Sequence, residues 1–292
     1  MDYRLENEFL RVTVTSHGAQ IKSVVRRSDG AEHIWCGDPA VWKFQTPVLF
    51  PYTGKLKDGR AVIRGKEIRN APPHGVVRVQ EHARTEQESD RLTLMLEENE
   101  ETLTIFPYRF RFSSTFRLAG ESLFHTLTVE NTDTEPFRFG LGFHPGFAVP
   151  FDAAHTIEDY ELRFSEAESP VCLETPEGLI NGKSFVLGHD LRALAVTDEM
   201  FDGGGYCMAG LRSKTLGLYE KGSGRAVVCH IGDFPYCLLW SQPGRPRFVC
   251  IEPWHSLPDT EQSDGDWEKK AAAAVLSSGE QWSATLRMDF LR

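Results

Sequence analysis

The chain has 292 residues, of which 40% are hydrophobic, so it can bury a large core. Its formal net charge is −10, and an acidic surface repels phosphate backbones and anionic lipids, so we expect neither nucleic acid nor a membrane as a partner. The six cysteines form no C-x-x-C motif and the acidic start "MDYRLENEFL" lacks a secretory core. These features predict a cytoplasmic protein with reduced cysteines. The histidines show no H-x-H or H-E-x-x-H spacing, so no metal is predicted.

Alternation of apolar and polar residues dominates the chain and predicts strands with one buried face. In chain order, the apolar positions of these segments are Leu92, Leu94 and Leu96; Tyr108, Phe110, Phe112, Phe116 and Leu118; Leu123, Leu127 and Val129; Tyr160, Leu162 and Phe164; and Trp282, Ala284, Leu286, Met288 and Phe290. The stretch "YEKGSGRAVV" predicts a hairpin that turns at Gly222–Gly224.

Helical periodicity is scarce. The alanine-rich residues 266–278, "DWEKKAAAAVLSS", are the best candidate for a helix because alanine is a strong helix former. Many short strands separated by Gly, Pro, Asn and Asp predict an all-β, largely antiparallel sandwich. We find no linker, low-complexity tract or repeat, so the sequence predicts a single domain over residues 1–292.

One polar side chain lies within the apolar, glycine-rich stretch "LGFHPGF". His144 follows a predicted strand and is flanked by Gly142, Pro145 and Gly146. Glycine allows conformations or close approaches denied to other residues, and proline suits a strand end. The pattern fits either a packed histidine at a strand terminus or a histidine held for chemistry.

Two further stretches carry candidate functional groups. In "FVCIEPW", alternation places Glu252 on the same face as Phe248 and Cys250, where partial desolvation raises the affinity of a carboxylate for a proton. Trp254 follows, and an exposed indole is a common floor for a sugar ring. "HGVVR" offers His74 and Arg78. Taken singly, Glu252 fits a loop-capping carboxylate equally well, and the second stretch fits a turn histidine with a solvated arginine.

Taken together and in order, these stretches resemble the aldose 1-epimerase (galactose mutarotase-like) superfamily, closest to its bacterial branch of shorter members. "PVLFPYTGKLKDG" is similar to P-x-L-F-P-x-x-G-R-L-x-x-G, "PPHGVVR" to Q-H-G-F-A-R, and "GFHPGFAVP" to G-x-H-P-x-F-x-x-P. The late stretch "DFPYCLLWSQPGRPRFVCIEPWHSLPD" is similar to F-P-Y-x-x-x-W-S…F-V-C-I-E-P-W-x-x-x-x-D. The resemblance covers nearly the whole chain. It implies a large antiparallel β-sandwich, or supersandwich, with a concave sugar-binding face.

The resemblance also implies an activity and a set of site residues. Members of the superfamily interconvert the α- and β-anomers of free aldoses without a metal or organic cofactor. The implied general acid is His144 and the implied general base is Glu252. The residues implied to bind the sugar are His74, Lys55, Arg78 and Trp254. The expected partner is therefore a small-molecule sugar, bound by a monomer or a homodimer.

Three positions depart from the family pattern. Lys55 stands where the family has an arginine, which keeps the charge but loses the bidentate fork. Val76 replaces an aromatic residue. Gly204 aligns with an aspartate that binds sugar hydroxyls, and Asp202 is a candidate replacement two positions away. These departures leave the identity of the sugar open.

Opening a pyranose ring requires that the anomeric hydroxyl lose a proton and that the ring oxygen gain one. Glutamate and histidine have ordinary pKa values of roughly 4.3 and 6.5, so modest shifts put each in a useful state near neutrality.

Three alternatives remain. One is a hexose-6-phosphate epimerase of the same fold, if Lys55, Lys57, Arg60 and Arg78 surround a phosphate. Another is a non-catalytic carbohydrate-binding or sensing module. A retaining glycosidase ranks last, because it needs two carboxylates ~5–5.5 Å apart and Glu252 has no evident carboxylate partner.

Overall fold

A computed structural model describes all residues, 1–292, and is built almost entirely from strands. In chain order the strands are β1 (Asp2–Glu6), β2 (Leu10–Thr15), β3 (Gln20–Arg26), β4 (Val48–Leu49), β5 (Ala61–Ile63), β6 (Lys66–Ile68), β7 (Ala83–Gln87), β8 (Arg91–Glu97), β9 (Phe110–Ala119), β10 (Ser122–Asn131), β11 (Phe137–Phe139), β12 (Gly142–Phe143), β13 (Gly146–Ala148), β14 (Tyr160–Glu168), β15 (Val171–Leu173), β16 (Ser184–Val186), β17 (Leu191–Ala195), β18 (Tyr206–Ala209), β19 (Thr215–Glu220), β20 (Ala226–His230), β21 (Tyr236–Trp240), β22 (Phe248–Trp254), β23 (Ala274–Leu276) and β24 (Gln281–Leu291).

Helical structure is limited to one short α-helix and five 3₁₀ turns. The α-helix α1 (Glu100–Ile105) begins with a capping box between Asn99 and Thr102. The 3₁₀ turns are Lys57–Gly59, Val77–Val79, Ile157–Asp159, Pro176–Gly178 and Trp267–Lys269. None of the helices has the length and apolar character needed to cross a bilayer.

Two large antiparallel sheets form the body of the fold. The first has nine strands in the order β17-β14-β19-β20-β24-β10-β9-β8-β7. The second has eight strands: seven run in the order β16-β15-β18-β21-β22-β12-β4, and β13 also pairs with β22. One core cluster of 59 buried residues takes side chains from both sheets. The predicted all-β antiparallel sandwich is therefore confirmed.

The alternation read from the sequence corresponds to the buried face of the nine-stranded sheet. Phe110, Phe112 and Phe116 of β9 are fully buried, because strand geometry sends every second side chain to the same face. The predicted hairpin is β19 and β20, which pair antiparallel from Thr215↔His230 to Tyr219↔Ala226.

The helix predicted for residues 266–278 is wrong. This segment forms the 3₁₀ turn Trp267–Lys269 and the strand β23, which pairs with β11. Trp267 is 2% exposed and its indole N–H donates to the Arg138 carbonyl oxygen at 3.0 Å. The helix propensity of alanine favours a helix by only tenths of a kcal/mol per residue, ~1 kcal/mol at most. Burial of the Trp267 ring and pairing with β11 stabilise the observed structure by more than that.

The eight-stranded sheet divides the residues of β22 between two environments. Val249 and Ile251 belong to the large core cluster. Phe248 and Cys250, on the opposite face, form a small cluster with Trp35. The same alternation gives Glu252 the orientation of Cys250, away from the main core, as the sequence predicted.

Candidate active site

A cleft of about 900 Å³ opens on the eight-stranded sheet, on the side opposite the main core. All six residues expected at the site line it: Lys55, His74, Arg78, His144, Glu252 and Trp254. They come from four separate parts of the chain, so the fold brings together residues that the sequence separates by up to about two hundred positions.

His144 and Glu252 contact each other at the floor of the cleft. The distance from Nε2 of His144 to Oε2 of Glu252 is 3.3 Å. The two short strands on either side of His144 pair with β22, through Gly142↔Trp254 and Gly146↔Cys250. The same register, continued through the gap between them, places His144 directly opposite Glu252.

Close packing explains the two glycines that flank this histidine. A Cβ on Gly142 would lie 2.6 Å from Cδ1 of Trp254, and a Cβ on Gly146 would lie 2.8 Å from Cζ3 of Trp42. Both contacts are shorter than carbon atoms tolerate, so any larger residue displaces an aromatic ring of the site. The sequence pattern around His144 therefore reflects close approach of two tryptophans.

Burial shifts the proton affinities of the pair in opposite directions. Glu252 is 1% exposed and His144 is 6% exposed. Burial raises the pKa of Glu252 well above its ordinary value. Burial, together with the positive charge of Arg78, lowers the pKa of His144 to about 3. The pair therefore favours its uncharged form, with one proton on Glu252.

His74 lies beside His144, with the two ring centroids 5.3 Å apart in an edge-to-face arrangement. The backbone N–H of Gly54 donates to Nδ1 of His74 at 3.2 Å. Burial lowers the pKa of His74 well below its ordinary value, so the ring is neutral and its single proton is on Nε2. The imidazole is thus a hydrogen-bond donor in the cleft.

The two cations of the site occupy different depths. The Arg78 guanidinium lies over the Phe44 ring, 4.5 Å from its centroid, and burial lowers its pKa to about 10. Its Nε has no hydrogen-bond partner. Lys55 lies nearer the rim and its Nζ donates to the Glu177 carbonyl oxygen at 2.7 Å. Arg78 therefore lines the cleft with a buried Nε that has no partner, whereas Lys55 is held by a loop.

Trp254 lines the cleft but does not offer an open ring face, because its side chain is only 2% exposed. The interpretation of Trp254 as an exposed floor for a sugar ring is therefore wrong. Its indole packs on Gly142 and meets His74 edge to face at 5.9 Å. Its buried Nε1 has no hydrogen-bond partner.

Sequence reasoning missed three residues of the cleft. Trp42 and Trp240 are half-buried. Trp42 stacks on His144 with ring centroids 5.0 Å apart, and Trp240 meets His144 edge to face at 5.6 Å. Glu174 adds a carboxylate to the cleft, where its Oε2 accepts from Asn181 Nδ2 at 2.8 Å. Trp42 comes from an irregular loop, which no periodic pattern marks.

Asp202, the candidate replacement for the family aspartate, does not lie in the cleft. Asp202 is exposed, lies outside the cleft lining, and accepts a hydrogen bond from the Gly244 N–H at 2.8 Å. Gly204 does line the cleft, and a Cβ built on it meets no atom within 4 Å. The cleft is therefore open where the family pattern has a carboxylate.

Only half of the expected basic cluster is present. Lys57 Nζ donates to the Ser263 carbonyl oxygen at 3.3 Å, and Arg60 pairs with Glu67 at 2.5 Å. Neither residue lines the cleft. The expectation that Lys57 and Arg60 join the other two cations around a phosphate is wrong, because neighbouring acceptors hold both side chains elsewhere.

The fold and the cleft define a galactose mutarotase-like protein. Residues 1–288 match the family model described as aldose 1-epimerase, so the chain belongs to the aldose 1-epimerase family. Membership places it among carbohydrate epimerases, a class of isomerases.

Three proteins illustrate the similarity. The chain is 31% identical over 268 residues to protein LacX (plasmid) of Lactococcus lactis subsp. lactis, an alignment that covers 88% of each chain. A galactose mutarotase related enzyme from Lactobacillus acidophilus superposes with a TM-score of 0.94 at 29% identity, covering 99% of this chain and 97% of the other. A galactose mutarotase-like protein from Lactobacillus casei superposes with a TM-score of 0.92 at 27% identity, covering 100% of both chains.

Proposed function

We propose that the protein is an aldose 1-epimerase that interconverts the α- and β-anomers of a free aldose by acid–base opening of the ring. The observation that carries the proposal is the contact of His144 with Glu252, 3.3 Å apart in a cleft large enough for a sugar. Family membership supports the class of reaction.

The geometry of the pair suits the two oxygens that must exchange protons. The ring oxygen and the anomeric hydroxyl oxygen are bonded to the same carbon, so the groups that serve them must be neighbours. His144 and Glu252 are neighbours at the cleft floor.

The pair holds the single proton that the reaction needs. Burial favours the neutral imidazole of His144 and the protonated carboxyl group of Glu252. Transfer of that proton across their contact creates an imidazolium acid and a carboxylate base together. The imidazolium then protonates the ring oxygen while the carboxylate accepts the proton of the anomeric hydroxyl. After rotation about C1–C2 the ring closes on the other face with the roles reversed.

The surrounding donors support sugar binding. His74 offers an Nε2–H, and the Arg78 guanidinium, which lines the cleft, offers further N–H donors to sugar hydroxyls. Trp42 and Trp240 are the half-buried rings that a sugar can contact. The acid and the base supply both proton moves, so the proposed reaction needs no metal or organic cofactor. Chelation with EDTA should leave the activity unchanged.

A free aldose is favoured over a phosphorylated one by the charges of the cleft. Only Lys55 and Arg78 of the four candidate cations line it, and Glu174 lies in the same lining. A phosphate of charge near −2 would meet a carboxylate as well as the two cations. We therefore propose the unphosphorylated sugar as the substrate.

The test is an anomerisation assay on a panel of sugars. Freshly dissolved α-glucose, α-galactose and glucose 6-phosphate are followed by polarimetry, and exchange NMR detects interconversion at equilibrium. The proposal predicts faster anomerisation of at least one free aldose. Glu252→Gln and His144→Asn should each lower the rate about 10²–10⁴-fold, the contribution of one positioned acid or base.

The remaining interpretations give different results in the same assay. Sugar binding without faster anomerisation would identify a carbohydrate-binding module. Preference for glucose 6-phosphate over every free sugar would identify a hexose-6-phosphate epimerase. Circular dichroism of the two variants serves as the control for folding, and wild-type rates from either variant would contradict the assigned roles.

A further inference from the structure

Three different metal-ligand atoms lie together at the floor of the cleft, where His144 and Glu252 line it and Cys250 is buried beside them. His144 offers an imidazole nitrogen, Cys250 a thiol sulfur and Glu252 a carboxylate oxygen, and these atoms all lie within 4.8 Å of one another. The alternation of β22 gives Cys250 and Glu252 the same orientation, and His144 lies opposite them on the neighbouring strands. Sequence spacing gives no sign of this group, because the residues are not arranged in a local motif.

The spacing of the three atoms is close to that of a zinc site. A tetrahedral Zn²⁺ with bonds of ~2.0–2.3 Å to N, O and S places its ligand atoms roughly 3.3–3.7 Å apart. The observed separations reach at most 4.8 Å, and Glu252 and His144 already approach to 3.3 Å. Side-chain rotations that bring the donor atoms about 1 Å closer together would complete the geometry.

Apart from the 3.3 Å contact between Nε2 of His144 and Oε2 of Glu252, the polar atoms of the three groups have no partner in the protein. Nδ1 of His144 and both carboxyl oxygens of Glu252 are buried without a hydrogen bond, and Cys250 is a free, buried thiol. Each group is at least nine-tenths buried. A buried polar atom without a partner is costly, and a bound cation would satisfy several such atoms at once.

A second group of three donor residues differs because a protein cation already neutralises it. Asp152, His155 and Glu220 also bring three donors together. There the Arg225 guanidinium pairs with Asp152 at 2.6 Å and with Glu220 at 2.5 Å. The positive charge that this group needs is already present, whereas no cationic side chain is paired with the group in the cleft.

We propose that His144, Cys250 and Glu252 form a site for one thiophilic divalent cation, with Zn²⁺ as the expected ion. A thiolate, an imidazole and a carboxylate are ligands that zinc accepts, and three protein ligands leave a fourth position open towards the cleft. Binding releases two protons to solvent, the thiol proton of Cys250 and the carboxyl proton of Glu252. The cation occupies the two groups that handle protons in the proposed function, so it inhibits the epimerase in competition with the sugar.

The binding claim is tested with Co²⁺, which substitutes for Zn²⁺ and reports its ligands by absorption. The wild-type protein should bind one Co²⁺ with a thiolate-to-cobalt charge-transfer band in the near ultraviolet, and Zn²⁺ should abolish the band. Cys250→Ser and Cys250→Ala should lose the band and bind Zn²⁺ at least ~10-fold more weakly by calorimetry, the smaller of the losses seen when even supporting groups of metal sites are changed.

Cys207 provides the matched control, because it is also a buried thiol and lines the cleft beside Glu252 but is not one of the three donors. Cys207→Ser should keep the band and the affinity. Absence of the band from the wild-type protein would overturn the proposal, as would a band of equal strength in a folded Cys250 variant. Circular dichroism checks the fold of each variant.

An activity measurement separates this proposal from the proposed function. Inhibition of anomerisation by Zn²⁺ should be relieved by added sugar and by EDTA, and Cys250→Ser should raise the inhibitory concentration at least ~10-fold. A cobalt band in a protein that anomerises none of the sugars would retain the metal site and reject the enzyme. Anomerisation without the cobalt band, and without inhibition by Zn²⁺, would retain the enzyme and reject the metal site.

Discussion

His125 gives a direct test of how burial controls protonation in this fold. It is 2% exposed, stacks on Phe116 with ring centroids 4.3 Å apart, and leaves its Nε2 without a partner. Burial lowers its pKa to about 3. The unfolded chain, with an ordinary histidine pKa near 6.5, therefore takes up a proton that the folded chain refuses.

The magnitude follows from this difference. Above about pH 6.5 the buried histidine is neutral in both states and does not change the free energy of unfolding with pH. Between that pH and the folded pKa, each histidine of this kind lowers the free energy of unfolding as the pH falls. Between pH 8 and pH 5 the loss is ~2 kcal/mol for one such residue, a large part of a total stability of ~5–15 kcal/mol. His33 and His82, with pKa values lowered to about 4 by burial, add losses of similar size.

The assay is urea unfolding at pH 8, 7, 6 and 5. His125→Leu removes the titrating group, so the loss of stability between pH 8 and pH 5 should be about 2 kcal/mol smaller than in the wild type. The exposed His189 provides the control, and His189→Gln should leave the wild-type slope unchanged. Equal slopes for His125→Leu and the wild type would refute the reasoning, whatever the variant's stability at pH 8.

Three further predictions concern the cleft. Gly142→Ala puts a carbon 2.6 Å from a buried indole, so urea unfolding should show a free energy of unfolding lower by about 1–3 kcal/mol because of overpacking. The control Gly203→Ala, whose new Cβ meets no atom within 4 Å, should not change stability, and equal effects of the two variants would contradict the packing. Trp42→Leu removes the ring stacked on the proposed acid, so kcat should fall ~2–10-fold, the value of one aromatic stack, and Trp42→Phe should restore most of it; no recovery with Phe would exclude stacking as the cause. Lys55→Ala should raise KM with little change in kcat, because Lys55 lies at the rim of the cleft. Lys57→Ala should leave KM and kcat unchanged, because Nζ of Lys57 donates outside the cleft, and a fall in kcat alone for Lys55→Ala would place Lys55 in the chemistry.

The fold could be predicted largely because strand geometry leaves a direct trace in the sequence. Alternating residues of β9 and β22 have different environments, and that difference places Glu252 on the cleft side of its strand. Helix propensity was a weaker guide. It suggested a helix in residues 266–278, where burial of Trp267 and pairing of β23 determine the structure. The short helix α1, signalled only by its capping box, went unpredicted.

The site could be predicted only through resemblance to a family, because its geometry depends on strand register. No spacing rule relates His144 to Glu252, 108 positions later; pairing of β12 and β13 with β22 brings them together. Alternation shows that Cys250 shares the orientation of Glu252, but its proximity to His144 appears only in the fold. Trp42 lies in a loop, and its role follows from a stack that no local pattern encodes.

The central claim is that His144 and Glu252 act as one proton-sharing pair, and a double-mutant cycle on anomerisation tests it most directly. Rates of Glu252→Gln, His144→Asn and the double variant are measured by exchange NMR on the best substrate of the panel. Groups that act as a unit are strongly non-additive, so the double variant should be no slower than the slower single variant. Losses that multiply in the double variant would show two independent groups and contradict the shared proton.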